Sequence, residues 1–165
     1  MYNRILVPLD GSELAECSLE HVKGIALGCH VPEVVLLTVI EPIEAATYAF
    51  NLAAAGYHYS PEEGTEIKKE MDRTYNNSLA AAGVYLKKIA KRLSDEGMNA
   101  KTEIVQGKAA ETILDYASKN SVDLVIMSTH GWGGKTRWDF GRVTDRLIRM
   151  SSIPIVVASP KGCRI

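Results

Sequence analysis

The chain has 165 residues and a mass of 18.0 kDa, the usual size of one folded domain. Hydrophobic residues make up 46% of the sequence and charged residues 24%, which is sufficient for one packed core. The formal net charge of −1 excludes a strongly basic protein, so nucleic acid is not predicted as a partner. We predict a single domain covering residues 1–165.

The cysteines and the N-terminal residues indicate in which cellular compartment the protein is expected. Cys17, Cys29 and Cys163 form no CxxC pair, and no histidine stands at metal-ligand spacing from them. This arrangement predicts reduced thiols and no zinc site. The start, MYNRILVPLDGS, lacks the apolar stretch of a signal peptide, and the apolar runs are too short to cross a bilayer. We therefore expect a soluble, cytoplasmic protein with no membrane partner.

The first part of the chain predicts a strand, a helix, a second strand and a long excursion. The runs at 4–9 and 33–40 are almost continuously apolar, which is typical of strands covered on both faces. Between them, Ser12 is the predicted N-cap of a helix. The segment 41–66 follows neither the helical nor the strand period and contains Pro and Gly. It is predicted to be a variable, partly ordered excursion of unassigned role.

The rest of the chain alternates helices and strands. Apolar residues spaced by three and four from Leu79 to Leu93 predict a helix that Gly97 ends. At 100–105 polar residues alternate with apolar ones, which favours a strand near an edge. The remaining elements are a helix at 110–117, a strand at 123–128, a helix at 142–150 and a strand at 153–159. Strands alternating with helices indicate right-handed crossovers and an open parallel sheet.

Ligands of such sheets bind beyond the carboxyl ends of the strands, where the winding reverses. Asp10 follows the first strand, and its carboxylate has two open interpretations: an acceptor for a nucleoside, or part of a turn before the helix. After the fourth strand, the glycine-rich stretch 128–144 brings Lys135, Arg137 and Arg142 close to backbone amides. This combination favours an anion, with a flexible loop of solvated charges as the alternative.

Two tempting chemical assignments are not supported by the sequence. Gly-Lys-Thr at 134–136 resembles the end of a phosphate loop, but Thr129 stands where that motif needs its first glycine. A P-loop NTPase is therefore not predicted. His130 has no nucleophile–base pair around it, so no catalytic residue is assigned.

Three segments resemble the universal stress protein (UspA-like) family: ILVPLDGSELAECSLEHV at 5–22, DLVIMSTHG at 123–131 and GRVTDRLIRMSSIPIVVAS at 141–159. The resemblance implies an α/β fold of the adenine nucleotide alpha hydrolase-like type. Its five-stranded parallel sheet has the order 3-2-1-4-5, with helices on both faces. It also implies a stress-response regulator that forms homodimers through the last strand, 153–159, whose apolar edge invites a partner strand. The regulated protein is not identified.

Family members that bind ATP carry G-x2-G-x9-G-[S/T] after strand four. The spacing is kept here, but Ser128 replaces the first glycine and Arg142 replaces the final Ser/Thr. By resemblance, the nucleotide-binding residues are Pro8, Asp10, Val39, Met127, Ser128, His130, Gly131, Gly141, Arg142, Val143 and Thr144. The implied ligand is ATP, with AMP or ADP as variants, and Mg²⁺ or Mn²⁺ only through the phosphates.

The two departures leave three functions open. The favoured one is a nucleotide-binding regulatory dimer. The second is a dimeric interaction module whose degenerate site binds no nucleotide, and the third is a slow ATPase.

Overall fold

A five-stranded parallel sheet organises the computed structural model, which describes residues 2–42, 51, 54–56, 60–129 and 141–159. The strands are β1 (Arg4–Pro8), β2 (Glu33–Ile40), β3 (Ala100–Gln106), β4 (Leu124–Ser128) and β5 (Ile155–Ala158). They pair in the order β3-β2-β1-β4-β5. The predicted sheet order is therefore confirmed, and the alternating strand at 100–106 lies at an edge.

Helices connect these strands. They are α1 (Glu13–Glu16), α2 (Leu19–Gly28), α3 (Pro61–Asp95), α4 (Ala109–Lys119) and α5 (Arg142–Met150). Ser12 caps α1 as predicted, since its hydroxyl accepts a hydrogen bond from Ala15 N at 3.1 Å. The first helix is divided into α1 and α2 instead of running on unbroken. None of the helices in the described ranges is long and apolar enough to span a bilayer.

The third helix begins much earlier than its apolar residues indicated. It starts at Pro61, inside the segment 41–66 that was predicted to be an excursion. The Ser60 hydroxyl accepts a hydrogen bond from Glu63 N at 3.3 Å, and the Glu63 carboxylate accepts one from Ser60 N at 2.6 Å. This capping box, with proline at the first helical position, is a strong helix start. The excursion is therefore shorter than predicted, and most of the remainder lies outside the described residues.

The core has two layers, one on each face of the sheet. Along β1, Ile5 and Val7 face α2 and α3, whereas Leu6 faces the α4 and α5 side. All three side chains are fully buried. Because adjacent strand residues point to opposite faces, a strand covered on both sides must be apolar throughout. This explains why the central runs lack alternation.

Charged groups join three strands at the amino end of the sheet. The Glu33 carboxylate on β2 pairs with Arg4 of β1 and with Lys101 of β3. The Glu33 side chain is only 13% exposed. The Lys101 ammonium and the Arg4 guanidinium hold the pKa of Glu33 below its usual value, against the opposing effect of burial. This network links β1, β2 and β3 at the end of the sheet opposite to the carboxyl ends of its strands.

The cysteine prediction is wrong at one position. Cys17 takes part in a disulfide bond, whereas Cys29 is a free thiol. The spacing of cysteines along a sequence does not show which of them the fold brings close enough to bond.

Candidate functional site

A pocket opens at the carboxyl ends of β1, β2 and β4, where the sheet's winding reverses. β1 continues to β2 on one side, whereas β4 lies on its other side and continues to β5. Seven of the predicted site residues line this switch-point pocket: Pro8, Asp10, Val39, Met127, Ser128, Val143 and Thr144. They come from segments separated by more than a hundred residues, and the parallel topology brings them together.

Other lining residues were not predicted. Leu14 and Ala15 of α1 close one side, and Ala109 and Ile113 of α4 close another. No motif distinguishes these residues from ordinary core positions. The available signal was positional, since the first turn of a helix that follows a parallel strand lies at the ligand edge of the sheet. The pocket is therefore built mainly from apolar side chains around a few polar groups, as small-molecule sites usually are.

Asp10 stabilises a turn through one carboxylate oxygen, and its other oxygen accepts no hydrogen bond among the described residues. Its Oδ1 accepts hydrogen bonds from Ser12 N at 2.9 Å and from the Ser12 hydroxyl at 2.6 Å. Gly11 between them has a φ of +86°, a conformation that favours glycine. Asp10 Oδ2 accepts no hydrogen bond from the described part of the chain, and the side chain is exposed. The turn therefore orients the carboxylate and leaves one oxygen for a ligand.

Ser128 lies in the wall of the pocket without blocking it. The residue is half-buried at the end of β4, and its hydroxyl lies 3.4 Å from the carbonyl oxygens of Thr129 and Ala158. Such long contacts are weak, so the hydroxyl keeps its capacity to bond elsewhere. The replacement of glycine by serine thus leaves an open pocket in the described residues.

Two of the other predicted site residues, Gly141 and Arg142, lie at the start of α5. Gly141, with a φ of +78°, is the N-cap of α5. Arg142 does not line the switch-point pocket; it lies in the adjoining groove. His130 and Gly131 lie outside the described residues, as do the cations Lys135 and Arg137.

That adjoining groove carries most of the local charge. We name it the basic groove; it is lined by three cations, Lys108, Arg142 and Arg146, and by two carboxylates, Glu41 and Glu111. It has a volume of about 290 Å³, against about 110 Å³ for the switch-point pocket. Small-molecule sites usually occupy about 300–1,000 Å³. A nucleotide-sized ligand in the switch-point pocket would therefore extend into neighbouring space.

A third cavity, of about 540 Å³, lies on the α3 side of Asp10 and Val39. Tyr85 contributes a buried hydroxyl that has no hydrogen-bond partner among the described residues. Burial, followed by the negative charge of Glu16, raises the pKa of Tyr85. The phenol is therefore a neutral group at neutral pH. In the described ranges no cluster of three or more His, Cys, Asp or Glu side chains is arranged to hold a metal ion.

Comparisons with known proteins agree with this fold. The sequence model of the universal stress protein family matches residues 1–159. Universal stress protein MJ0577 of Methanocaldococcus jannaschii is 34% identical, over 98% of each chain. Its solved structure aligns with a TM-score of 0.67 at 31% identity, covering 98% of this chain and 99% of that one.

Two more distant structures share the fold and contain nucleotides. A universal stress protein family protein from Arabidopsis thaliana with AMP bound aligns with a TM-score of 0.61 at 12% identity, over 95% of this chain and 91% of that one. A universal stress protein in complex with cAMP aligns with a TM-score of 0.56 at 17% identity, over 96% and 97%. At such identities the likeness shows a common fold.

Proposed function

Since the chain belongs to the universal stress protein family, we propose that it binds an adenine nucleotide, ATP foremost, in the switch-point pocket. The observation that carries this proposal is the pocket itself. The ends of β1, β2 and β4 and the start of α5 converge on it, and both Asp10 and the first turn of α5 line it. Proteins of the same fold that contain AMP and cAMP support the choice of an adenine nucleotide.

The pocket suits the two chemically different parts of such a ligand. Val39 and Met127 offer apolar walls to a flat base, and the free Asp10 oxygen accepts a hydrogen bond from a ribose hydroxyl or from the adenine amino group. The phosphates extend towards α5, where the first turn of the helix and the Thr144 side chain border the pocket. A Mg²⁺ or Mn²⁺ ion enters only as the counterion of these phosphates.

The regulatory part of the proposal is a homodimer that responds to the nucleotide. The edge strand β5 pairs with β4 on one side, and Ile155, Val156 and Val157 on it are half-buried. Two apolar side chains of α5, the helix that leads into β5, are also exposed: Ile148 and Met150. An apolar sheet edge invites a second strand, and the segment 153–159 supplies one from each subunit. We place the protein in the stress response on the family relationship alone.

Calorimetry with ATP, ADP and AMP tests the binding proposal. We expect saturable binding to the wild-type protein and its loss in Asp10→Ala, because the carboxylate is the polar anchor at the base end. Asp115→Ala, on the exposed surface of α4, is the matched control and retains binding. Undetectable binding of all three nucleotides at millimolar concentration refutes the proposal.

A second candidate is an interaction module without a nucleotide, and Arg142 is the observation in its favour. This residue replaces the hydroxyl expected at the start of α5 with a bulky cation. Mass spectrometry of small molecules released from freshly purified protein separates the candidates, because co-purified nucleotide excludes the second. Phosphate release from bound ATP, compared with ATP in buffer, tests for slow hydrolysis.

A further inference from the structure

The basic groove carries more positive than negative charge, because three cations and two carboxylates line it. Arg146 Nη2 pairs with Glu111 Oε1 at 2.7 Å, which joins α5 to α4. Glu41 Oε1 accepts a hydrogen bond from Ala109 N at 3.1 Å. Both carboxylates of the groove are therefore engaged. Lys108 and Arg142 form no ion pair with any residue in the described ranges, and both are exposed.

The groove adjoins the switch-point pocket. Ala109 and Val143 line both spaces, so the starts of α4 and α5 border the pocket and the groove alike. The groove is accessible to solvent and far larger than the roughly 30 Å³ that a water molecule occupies in the liquid. Lys108 and Arg142, which have no ion-pair partner among the described residues, are suited to an oxyanion carried by a ligand in the neighbouring pocket.

We propose that Lys108 and Arg142 bind the terminal phosphates of the nucleotide, and that Glu41 competes with those phosphates for this position. This inference rests on the proposed function and names its ligand class: nucleoside di- and triphosphates in preference to monophosphates. AMP has a single phosphate, which stays beside Thr144 in the switch-point pocket. ADP and ATP extend past Val143, where the cations attract the additional charge.

Lys108 and Glu41, which are not part of the family's nucleotide motif, should change ATP affinity in opposite directions when they are neutralised. Lys108 is a point charge on a flexible stem, so its removal weakens the binding of a second or third phosphate and leaves AMP unaffected. Glu41 presents a negative charge to the same space, and its neutralisation strengthens the binding of the longer nucleotides. An amide at position 41 keeps an oxygen acceptor for Ala109 N, so Glu41→Gln changes charge with little change in shape.

The test is calorimetry with ATP and AMP on the full chain at low ionic strength, using Lys108→Gln, Glu41→Gln and Lys119→Gln. Lys119 lies at the other end of α4, paired with Asp115, and serves as the matched control. We expect Lys108→Gln to weaken ATP binding by about fivefold and Glu41→Gln to strengthen it, because exposed charge pairs contribute up to about 1 kcal/mol. AMP affinity stays within about twofold in every variant, and the differences shrink at high salt.

The outcomes separate the inference from the proposed function. Equal changes for ATP and AMP in Lys108→Gln, or weaker ATP binding in Glu41→Gln, overturn the inference and leave the nucleotide site standing. Equal wild-type affinity for ATP and AMP does the same. If the wild-type protein binds no adenine nucleotide, the proposed function fails and the inference fails with it. Unchanged melting temperatures of the variants without ligand exclude misfolding as the cause.

Discussion

Leu147 attaches the helix that begins at the candidate site, and its truncation should be among the most damaging single changes. The side chain is fully buried on α5 and belongs to the cluster that contains Ile113 and Met127, both of which line the switch-point pocket. Leu147→Ala removes three carbon atoms, at about 0.8 kcal/mol for each buried CH₂. The cavity left behind adds to this loss, so we expect the free energy of unfolding to fall by about 3 kcal/mol.

Equilibrium urea unfolding, followed by circular dichroism, measures this loss, and Leu27→Ala is the matched control. Leu27 on α2 is 46% exposed. The same substitution there should cost about 1 kcal/mol or less, since half of the side chain is already in water. A Leu147→Ala variant within 1 kcal/mol of the wild type would refute the packing argument, as would equal losses in the two variants. The slope with urea should stay unchanged if both states keep their compactness.

Three further predictions concern charge, binding and assembly. Because its neighbours depress the folded-state pKa of Glu33, this carboxylate adds stability above its unfolded pKa of about 4.3, and the contribution disappears as the pH falls through the folded value. In urea unfolding, Glu33→Gln should therefore lower the free energy of unfolding by about 1 kcal/mol at pH 7 and by progressively less below pH 4.3. A difference from the wild type that stays the same across this pH range contradicts the prediction. Thr144→Val should raise the Kd for ATP by about fivefold in calorimetry without lowering the melting temperature; unaltered affinity removes Thr144 from the site. Val157→Pro should convert the proposed dimer into a monomer in analytical ultracentrifugation, whereas a dimer that persists argues against pairing through β5.

The direction of the backbone groups in β5 supplies the reason for the last prediction and its control. Pro154 O accepts a hydrogen bond from Val125 N of β4, and Ala158 O accepts one from Thr129 N, directly after β4. Backbone groups alternate in direction along a strand, so those of Val156 also face β4, whereas those of Val157 face the open edge. Proline at 157 therefore removes only an outward N–H, which edge strands tolerate. Val156→Pro removes a ladder hydrogen bond and should lower the melting temperature.

The sheet could be predicted from the sequence because its residues carry their own signal. The run at 33–40 is almost continuously apolar, which indicates a strand covered on both faces, and alternation at 100–105 identified the edge strand. The start of α3 was also encoded, in Ser60, Pro61 and Glu63, but apolar periodicity did not reveal it. The first turns of this helix are mostly exposed and therefore polar, so its caps were the only local signal.

A site residue could be predicted from the sequence when it acts through its backbone or lies at a fixed position in the fold, such as the end of a strand. Asp10 follows the end of β1, where the topology directs a ligand, whereas Pro8 and Val39 were implied by the family resemblance. Leu14 and Ala109 were missed because an apolar residue that lines a pocket looks like a core residue until the fold is known. The same holds for Lys108, a lysine among many, whose position beside Arg142 depends on how α4 packs against α5.

The two departures from the family pattern affect opposite ends of the proposed ligand. Ser128 adds a hydroxyl within the switch-point pocket and leaves the space open, whereas Arg142 lies outside that pocket and lines the basic groove. A cation at this position therefore need not occupy the volume of the adenosine. Arg142→Ser, which restores the pattern's hydroxyl, should leave AMP affinity unchanged and weaken ATP binding, because a guanidinium binds phosphate at least as strongly as a hydroxyl. Stronger ATP binding in Arg142→Ser would instead mean that the arginine obstructs the phosphates.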